Sequence, residues 1–350
     1  MKEKKNIRSL DKEELKEFLI SINEKPFRAS QIYNWLWKKN VSKFSQMRNI
    51  SKPLIDSLAK EFVIRKIVID EAQKSDDGTM KTAFKLHDGK IVEGVLIPSK
   101  SRTTACISTQ VGCSLSCAFC ATGKLGLIRN LSADEIYDQV VEIANQSTKQ
   151  YQSKLGNIVF MGMGEPLLNY RETMRSIEMI TSEDGLAMSP KRITVSTAGI
   201  AKMIKKLGDD EVKFNLAVSL HAATDEKRSA IMEINKENSL DALTEAIKYF
   251  YDKTGSRITF EYILFRDFND SLDDAAQLAR FCRSFPVKIN LIEYNPVEGV
   301  DFQKSIPIRT DEFASFLEEK NMIVNVRRSR GKDIDAACGQ LANKKAFNKN

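Results

Sequence analysis

The sequence predicts an α/β protein: a partial (β/α)6 TIM-like barrel, preceded by a small N-terminal helical domain and a short antiparallel extension. Three observations predict it. Apolar residues recur at helical spacing over the first 62 residues, then alternate at strand spacing from about 64 to 98. Beyond residue 100, apolar strand-like runs alternate with stretches of helical periodicity. The chain has 350 residues, 42% hydrophobic and 29% charged, the composition of an ordinary globular protein.

Taken in order, residues 11–22 (DKEELKEFLISI), 28–39 (RASQIYNWLWKK) and 52–62 read as helices, with Asp11 and Ser51 suited to N-cap positions. VIRKIVIDEA, TMKTAFKL and KIVEGVLIP read as strands, broken by turns at Asp76-Asp77-Gly78 and Asp88-Gly89. A small antiparallel sheet joining two domains is expected there. The barrel strands are TTACIST, NIVFMGM, RITVSTAG, KFNLAVSL, RITFEYIL and VKINLIEY. Helices are expected at 132–146, 169–182, 199–207, 238–253 and 271–284, then a helix at 310–320 and a last strand IVNVRRS. Strands this apolar suit a parallel sheet covered on both faces. A closed barrel needs eight βα units, and about six are clear, so an incomplete barrel is expected. The expected divisions are 1–63, a basic helical domain; 64–98, the extension carrying Glu93; 99–330, the barrel core; and 331–350, a loop with Cys338 and a Lys/Asn-rich tail. Chemistry in such a fold belongs at the C-terminal ends of the strands.

The formal net charge is +7, and its placement is uneven. Residues 1–66 hold 16 Lys and Arg against 8 Asp and Glu, so the rest of the chain is close to neutral. The same stretch holds both tryptophans, Trp35 and Trp37, with Phe27, Tyr33 and Phe44. A basic, aromatic module suits a polyanion such as RNA; from this signal alone, a solvated helical domain with aromatics in its own small core is the favoured reading. A second basic run is Arg327, Arg328, Arg330 and Lys332. No run of about 18 apolar residues predicts a membrane span, and the charged start lacks the apolar region of a secretory leader. Cytoplasm is the expected compartment. Six cysteines are too few for a disulfide scaffold in a chain of this length.

Three of the six crowd into QVGCSLSCAFCATG, as Cys113, Cys117 and Cys120. Three thiolates on one short loop can hold three corners of a cubic iron–sulfur cluster and leave the fourth iron open to a small molecule. A zinc site would need a fourth ligand, for which Cys106 or Cys338 is available. A dithiol at Cys117 and Cys120 is the third alternative. Cys282, on a helical stretch, reads as a buried core residue, and Cys106 on its strand could be one too.

The loop, with Phe119 before its third cysteine, resembles the signature of the radical S-adenosylmethionine superfamily. CSLSCAFCATGKLG, MGMGEPLLN, ITVSTAGI, AVSLHA, YILFRDFND, YNP and RSRGKDIDAACGQL extend the likeness over nearly the whole chain. Together they resemble the dual-specificity adenine-C2 RNA methyltransferases. The resemblance implies a radical S-adenosylmethionine barrel with one 4Fe-4S cluster on Cys113, Cys117 and Cys120. It implies two S-adenosylmethionine molecules per turnover, held by Gly164, Glu165, Ser196, Ser219, Leu220, His221 and Asn295. Glu165 would pair with the ligand's ammonium; His221 is the weakest of the set, since a backbone contact there would suffice.

Adenine C2 is an electron-poor carbon, so polar methyl transfer fails there. The resemblance implies that Cys338 is methylated by one S-adenosylmethionine. A 5′-deoxyadenosyl radical from the second removes a hydrogen from that methyl group, and the carbon adds to C2. Cys106 then releases the RNA by forming a transient disulfide with Cys338, and Glu93 removes the C2 proton. The implied substrates are 23S rRNA and an adenine of the tRNA anticodon loop, with a low-potential electron donor of flavodoxin or ferredoxin type; a monomer is expected. Three competitors remain: the related adenine-C8 rRNA methyltransferases, a zinc-stabilised RNA-binding protein without catalysis, and another radical S-adenosylmethionine chemistry on a different substrate, against which the Cys106 and Cys338 pair argues.

Overall fold

A computed structural model describes residues 4–342. The N-terminal part comprises β1 (Lys5–Asn6), α1 (Lys12–Ser21), α2 (Arg28–Leu36), α3 (Lys52–Glu61) and β2 (Phe62–Val63), with β1 and β2 paired in parallel. Helix α1 starts where the sequence places it, because Asp11 and Glu14 form a reciprocal capping box. Ser51 occupies the N-cap of α3, but its side chain makes no cap bond; Pro53 in the first turn presets the backbone instead.

The extension forms β3 (Val68–Lys74), β4 (Met80–Lys85) and β5 (Ile91–Pro98). After β6 (Thr103–Cys106) comes a hairpin, β7 (Gln110–Gly112) and β8 (Leu127–Asn130), that carries the cysteine loop. The barrel then runs α4 (Ala133–Tyr151), β9 (Leu155–Phe160), α5 (Tyr170–Thr181), β10 (Ile193–Thr197), α6 (Ala201–Asp209) and β11 (Asn215–Ser219). It continues through α7 (Asp225–Ile231), α8 (Leu240–Thr254), β12 (Ile258–Leu264), α9 (Leu272–Cys282), β13 (Val287–Glu293), α10 (Pro307–Glu319) and β14 (Ile323–Arg327).

Ten strands make one sheet in the order β14-β13-β12-β11-β10-β9-β6-β5-β4-β3. From β6 to β14 every neighbouring pair is parallel and in chain order, joined by helical crossovers, as a partial barrel requires. The extension departs from expectation. Its strands are antiparallel, but they form no separate sheet between domains. Strand β5 pairs with β6, placing Val95 opposite Cys106, so the extension continues the barrel sheet. The reason is burial: Val92 to Leu96 are all buried, which an isolated hairpin could not provide.

The N-terminal helices share the barrel's core instead of sitting apart from it. Arg8 is fully buried, bonds Asp138 of α4 at 2.8 Å, and stacks on the Trp37 ring at 4.5 Å. Arg175 of α5 donates to the carbonyls of Arg8, Ser9 and Leu10. At the other end of the chain, the segment after β14 returns to the turn between β3 and β4. Asp333 accepts from Ser75 Oγ (2.5 Å) and Asp76 N (3.1 Å), and Gly331 N donates to Asp77 (2.9 Å). This strap joins the two ends of the open sheet. The Lys/Asn-rich tail beyond Ala342 lies outside the described residues.

Candidate functional site

One cavity opens at the C-terminal ends of the barrel strands. Cys106 ends β6 on one wall, and the segment after β9 brings Gly162, Gly164 and Glu165. Ser196 comes from the end of β10, and Ser219 and His221 from the end of β11. Cys113, Cys117 and Cys120 line another wall, and the rim is lined by Arg327 at the end of β14 and by Arg328, Ser329, Arg330 and Cys338 of the strap.

The cysteine loop is held by backbone geometry. Gly112 has φ +78°, and a Cβ there would lie 1.8 Å from the Gly126 carbonyl oxygen, so only glycine lets the hairpin close. Cys113 N then donates to Gly126 O at 3.0 Å. Ala118 N donates to Ile231 O (3.0 Å) and Ala121 N to Gly339 O (2.8 Å), which ties the loop to α7 and to the strap. Phe119 meets the His221 ring edge-on at 4.8 Å.

All three thiols are free. Burial pushes Cys113 up to about 11 and Cys117 higher, and the neighbouring thiols of the trio add to both shifts. Backbone N–H groups of Leu115 and Ser114 act the other way at Cys113, favouring its thiolate. Among the described residues, no three His, Cys, Asp or Glu side chains converge tightly enough to chelate a single ion. Three sulfurs spread over one cavity wall, with amide donors beside the first, fit the corners of a 4Fe-4S cube, whose cationic irons would replace the thiol protons.

Glu165 lies beside them. Gly164 has φ +93°, and a Cβ there would strike Gln110 at 2.4 Å, so glycine permits the turn that presents Glu165. Gln110 Oε1 accepts from Glu165 N at 2.8 Å. The carboxylate accepts from Leu167 N (3.0 Å) and Ala198 N (2.7 Å), yet burial still pushes it up to about 7. A buried carboxylate so disfavoured is suited to receive a cation. His221, at φ +57°, takes a hydrogen bond from Ile263 N on Nδ1 (3.1 Å), which leaves the ring proton on Nε2. Burial, with Arg228 nearby, pushes it down to about 3, so the ring is neutral.

Two residues expected at the ligand, Leu220 and Asn295, are not among those lining the cavity. Leu220 is a buried core residue between Ser219 and His221, which do line the cavity. Asn295 does not line the cavity; its side chain reaches Glu293 O (3.3 Å) and Cys338 O (3.4 Å), so it holds the strap.

Cys106 is buried, and burial reinforced by Cys338 pushes it up to about 12. Cys338 is solvent-accessible where the strap borders the cavity, yet protein crowds it closely enough to raise its thiol also. Glu93 is outside this space. It lines an adjacent cavity with Lys81 and Gln340, and its carboxylate accepts from Ala342 N at 3.0 Å. Strap residues 340–342 thus bear on both spaces. Below the rim, burial pushes Glu293 up, but bonds from Lys332, Lys304 and Arg328 outweigh it and hold it at about 2. Cys282 is buried in α9, as a core residue should be.

Sequence reasoning missed Gln110 and Arg228. Arg228 is fully buried and bonds Leu220 O, Ser219 O, Ala198 O and Asn235 Oδ1. In the sequence it sits in DEKRSAI, which reads as a solvated helical turn, and no local signal marks it as buried.

Comparison with known proteins matches this arrangement. Residues 5–64 match the ribosomal RNA large subunit methyltransferase N-terminal domain, and residues 107–279 match the radical SAM superfamily. A probable dual-specificity RNA methyltransferase RlmN of Christiangramia forsetii is 57% identical over 343 residues, covering 98% of this chain and 97% of the relative. The dual-specificity RNA methyltransferase RlmN of an Anaeromyxobacter species is 43% identical over 341 residues, 96% of this chain and 90% of the relative. A crystal structure of a radical SAM methyltransferase from Sphaerobacter thermophilus superposes with a TM-score of 0.90 at 38% identity, covering 96% of this chain and 99% of that one. The chain belongs to the dual-specificity RNA methyltransferase RlmN family of the radical SAM superfamily.

Proposed function

We propose that the chain methylates C2 of an adenine in 23S rRNA and of an adenine in the tRNA anticodon loop, in the cytoplasm and as a monomer, using two S-adenosylmethionine molecules per turnover. The single observation that carries the reading is one cavity holding five cysteines: the trio of one loop, and Cys106 facing Cys338. Cys113, Cys117 and Cys120 would hold the cluster, which when bound supplies the electron that cleaves S-adenosylmethionine. A flavodoxin- or ferredoxin-type donor would provide that electron.

The chain's own groups take the remaining roles. Glu165, poised by burial, receives the ligand's ammonium, and Gly164, Ser196 and Ser219 shape its bed. Cys338 carries the methyl group on the strap, where solvent and a flipped base can reach it. Cys106, with its thiol proton retained, waits beside it and becomes the resolving nucleophile once Cys338 bears the adduct. Glu93 takes the C2 proton after Ala342 N releases its carboxylate, so the strap has to shift when RNA enters. RNA phosphates meet the N-terminal basic face, where Lys39 stacks on Trp35 and Arg28 on Phe27, and the arginines of the rim.

The test is Cys106→Ala expressed in cells. RNA trapped covalently on Cys338 is expected, and 2-methyladenosine is expected in RNA from cells with the unaltered protein. Absence of any trapped RNA, or 8-methyladenosine in the digest, sinks the reading.

A further inference from the structure

Helix α7 has seven residues and no expected role, yet it bonds both the cysteine loop and the ends of β10 and β11. Its last residue, Ile231, accepts the Ala118 N–H from between two of the cluster cysteines. One turn earlier, Arg228 points the other way, into the strand ends. Its Nη2 donates to Ala198 O (2.5 Å) and Ser219 O (3.2 Å), and its Nε to Leu220 O (3.1 Å). Its Nη1 donates to Asn235 Oδ1 (2.7 Å), whose amide in turn bonds Asp225. Every direct partner is therefore a neutral oxygen, and the nearest carboxylate in the chain of bonds is one residue removed. A cation this deeply buried costs far more than it returns unless its position is used.

The contacts show a use. Ala198 is gripped from both sides: its N–H donates to Glu165 and its carbonyl accepts from Arg228. Gly199, at φ +99°, leaves room, since a Cβ there would lie 3.0 Å from the guanidinium. The same fork holds Ser219 and Leu220, so the ends of β10 and β11 are fixed by one planar group. Ile231 of the same helix bonds Ala118 between two of the cluster cysteines, so the guanidinium lies one helical turn from the cysteine loop's own anchor.

We propose that Arg228 is the positioning residue of the cofactor cavity: it locks the strand ends that aim Glu165 at the S-adenosylmethionine ammonium, and it sets a permanent positive charge beneath the cysteine loop. The inference rests on the reading of this cavity as the cluster and S-adenosylmethionine site. A bare fork-shaped brace would affect stability alone. A positioning charge also affects the cluster's midpoint potential, because positive charge favours the reduced, more negative cluster.

The test uses full-length, anaerobically reconstituted protein with Arg228→Lys and Arg228→Met. Iron content, S-adenosylmethionine affinity by calorimetry, and the midpoint potential followed by electron paramagnetic resonance are measured on each. Arg228→Met is expected to bind S-adenosylmethionine at least about tenfold more weakly, with a more negative midpoint potential. Arg228→Lys keeps the charge but cannot span the carbonyls, so its potential should stay near that of the unaltered protein while its affinity falls. Unchanged affinity in Arg228→Lys overturns the positioning role, even if the Met variant fails to fold. Unaltered protein that holds no iron or binds no S-adenosylmethionine overturns the site reading, and this inference with it.

Discussion

At the scale of single residues, the site is built from groups kept out of their ordinary protonation range. Glu165 is the clearest case. Its carboxyl sits at about 7 because burial outweighs the two amides that serve it. A carboxyl raised in the folded state stabilises the fold fully below its unfolded value near 4.5, and that contribution is lost as pH rises through about 7. The shift corresponds to about 3 kcal/mol. Urea unfolding of metal-free protein between about pH 4.5 and 8 should therefore show a decline that Glu165→Gln lacks. Equal pH slopes for the two proteins would disprove the assignment. The ligand's ammonium should restore the lost stability, most strongly at the alkaline end. Cys106 obeys the same physics with a different outcome: burial keeps its thiol protonated, as the proposed resolving role requires.

At the scale of elements, buried charge decides how the N-terminal helices dock. Asp138 of α4 receives Arg8 (2.8 Å) and Lys66 (2.6 Å), while among the described residues Arg8 Nε and Nη2 and one Asp138 oxygen have no hydrogen-bond partner. The two partners are not equivalent. Replacing Arg8 with Met leaves Asp138 paired with Lys66 and removes two unserved donors. Replacing Asp138 with Ala leaves Arg8 buried without an anion, which costs about 3–5 kcal/mol. Denaturant unfolding should rank Asp138→Ala well below Arg8→Met in stability; the reverse order would show that the ion pair is not what joins these elements. The hairpin of β7 and β8 is set more simply, by two glycines at positive φ where Gly112 crosses Gly126.

At the scale of the molecule, net positive charge is confined to one end of a continuous core. Because Arg8, Trp37 and Arg175 knit the N-terminal helices to α4 and α5, removing them would expose the barrel's core and confuse loss of charge with loss of fold. Charge reversal is cleaner. Lys39→Glu, Lys43→Glu and Arg48→Glu alter exposed side chains, and should weaken RNA binding. The salt dependence of binding should become shallower by about one unit of slope for each phosphate no longer neutralised. S-adenosylmethionine affinity should not change; an unaltered salt slope would place the RNA elsewhere. Most of the strand and helix order, the incomplete barrel and the cysteine trio were legible in the chain itself, because periodicity, caps and short spacings are local properties; the short helix α7 and the β7–β8 hairpin, too brief to show a period, were not. So was the long run of motifs that marks the family. Three matters were decided only by the tertiary structure: that the extension continues the barrel sheet, that Glu93 lies behind the strap from the cysteines, and that Arg228 is the buried brace of the cavity. Each depends on which distant segment lies alongside, and an arginine beside a lysine reads the same in sequence whether its fork meets water or the carbonyls of two buried strands.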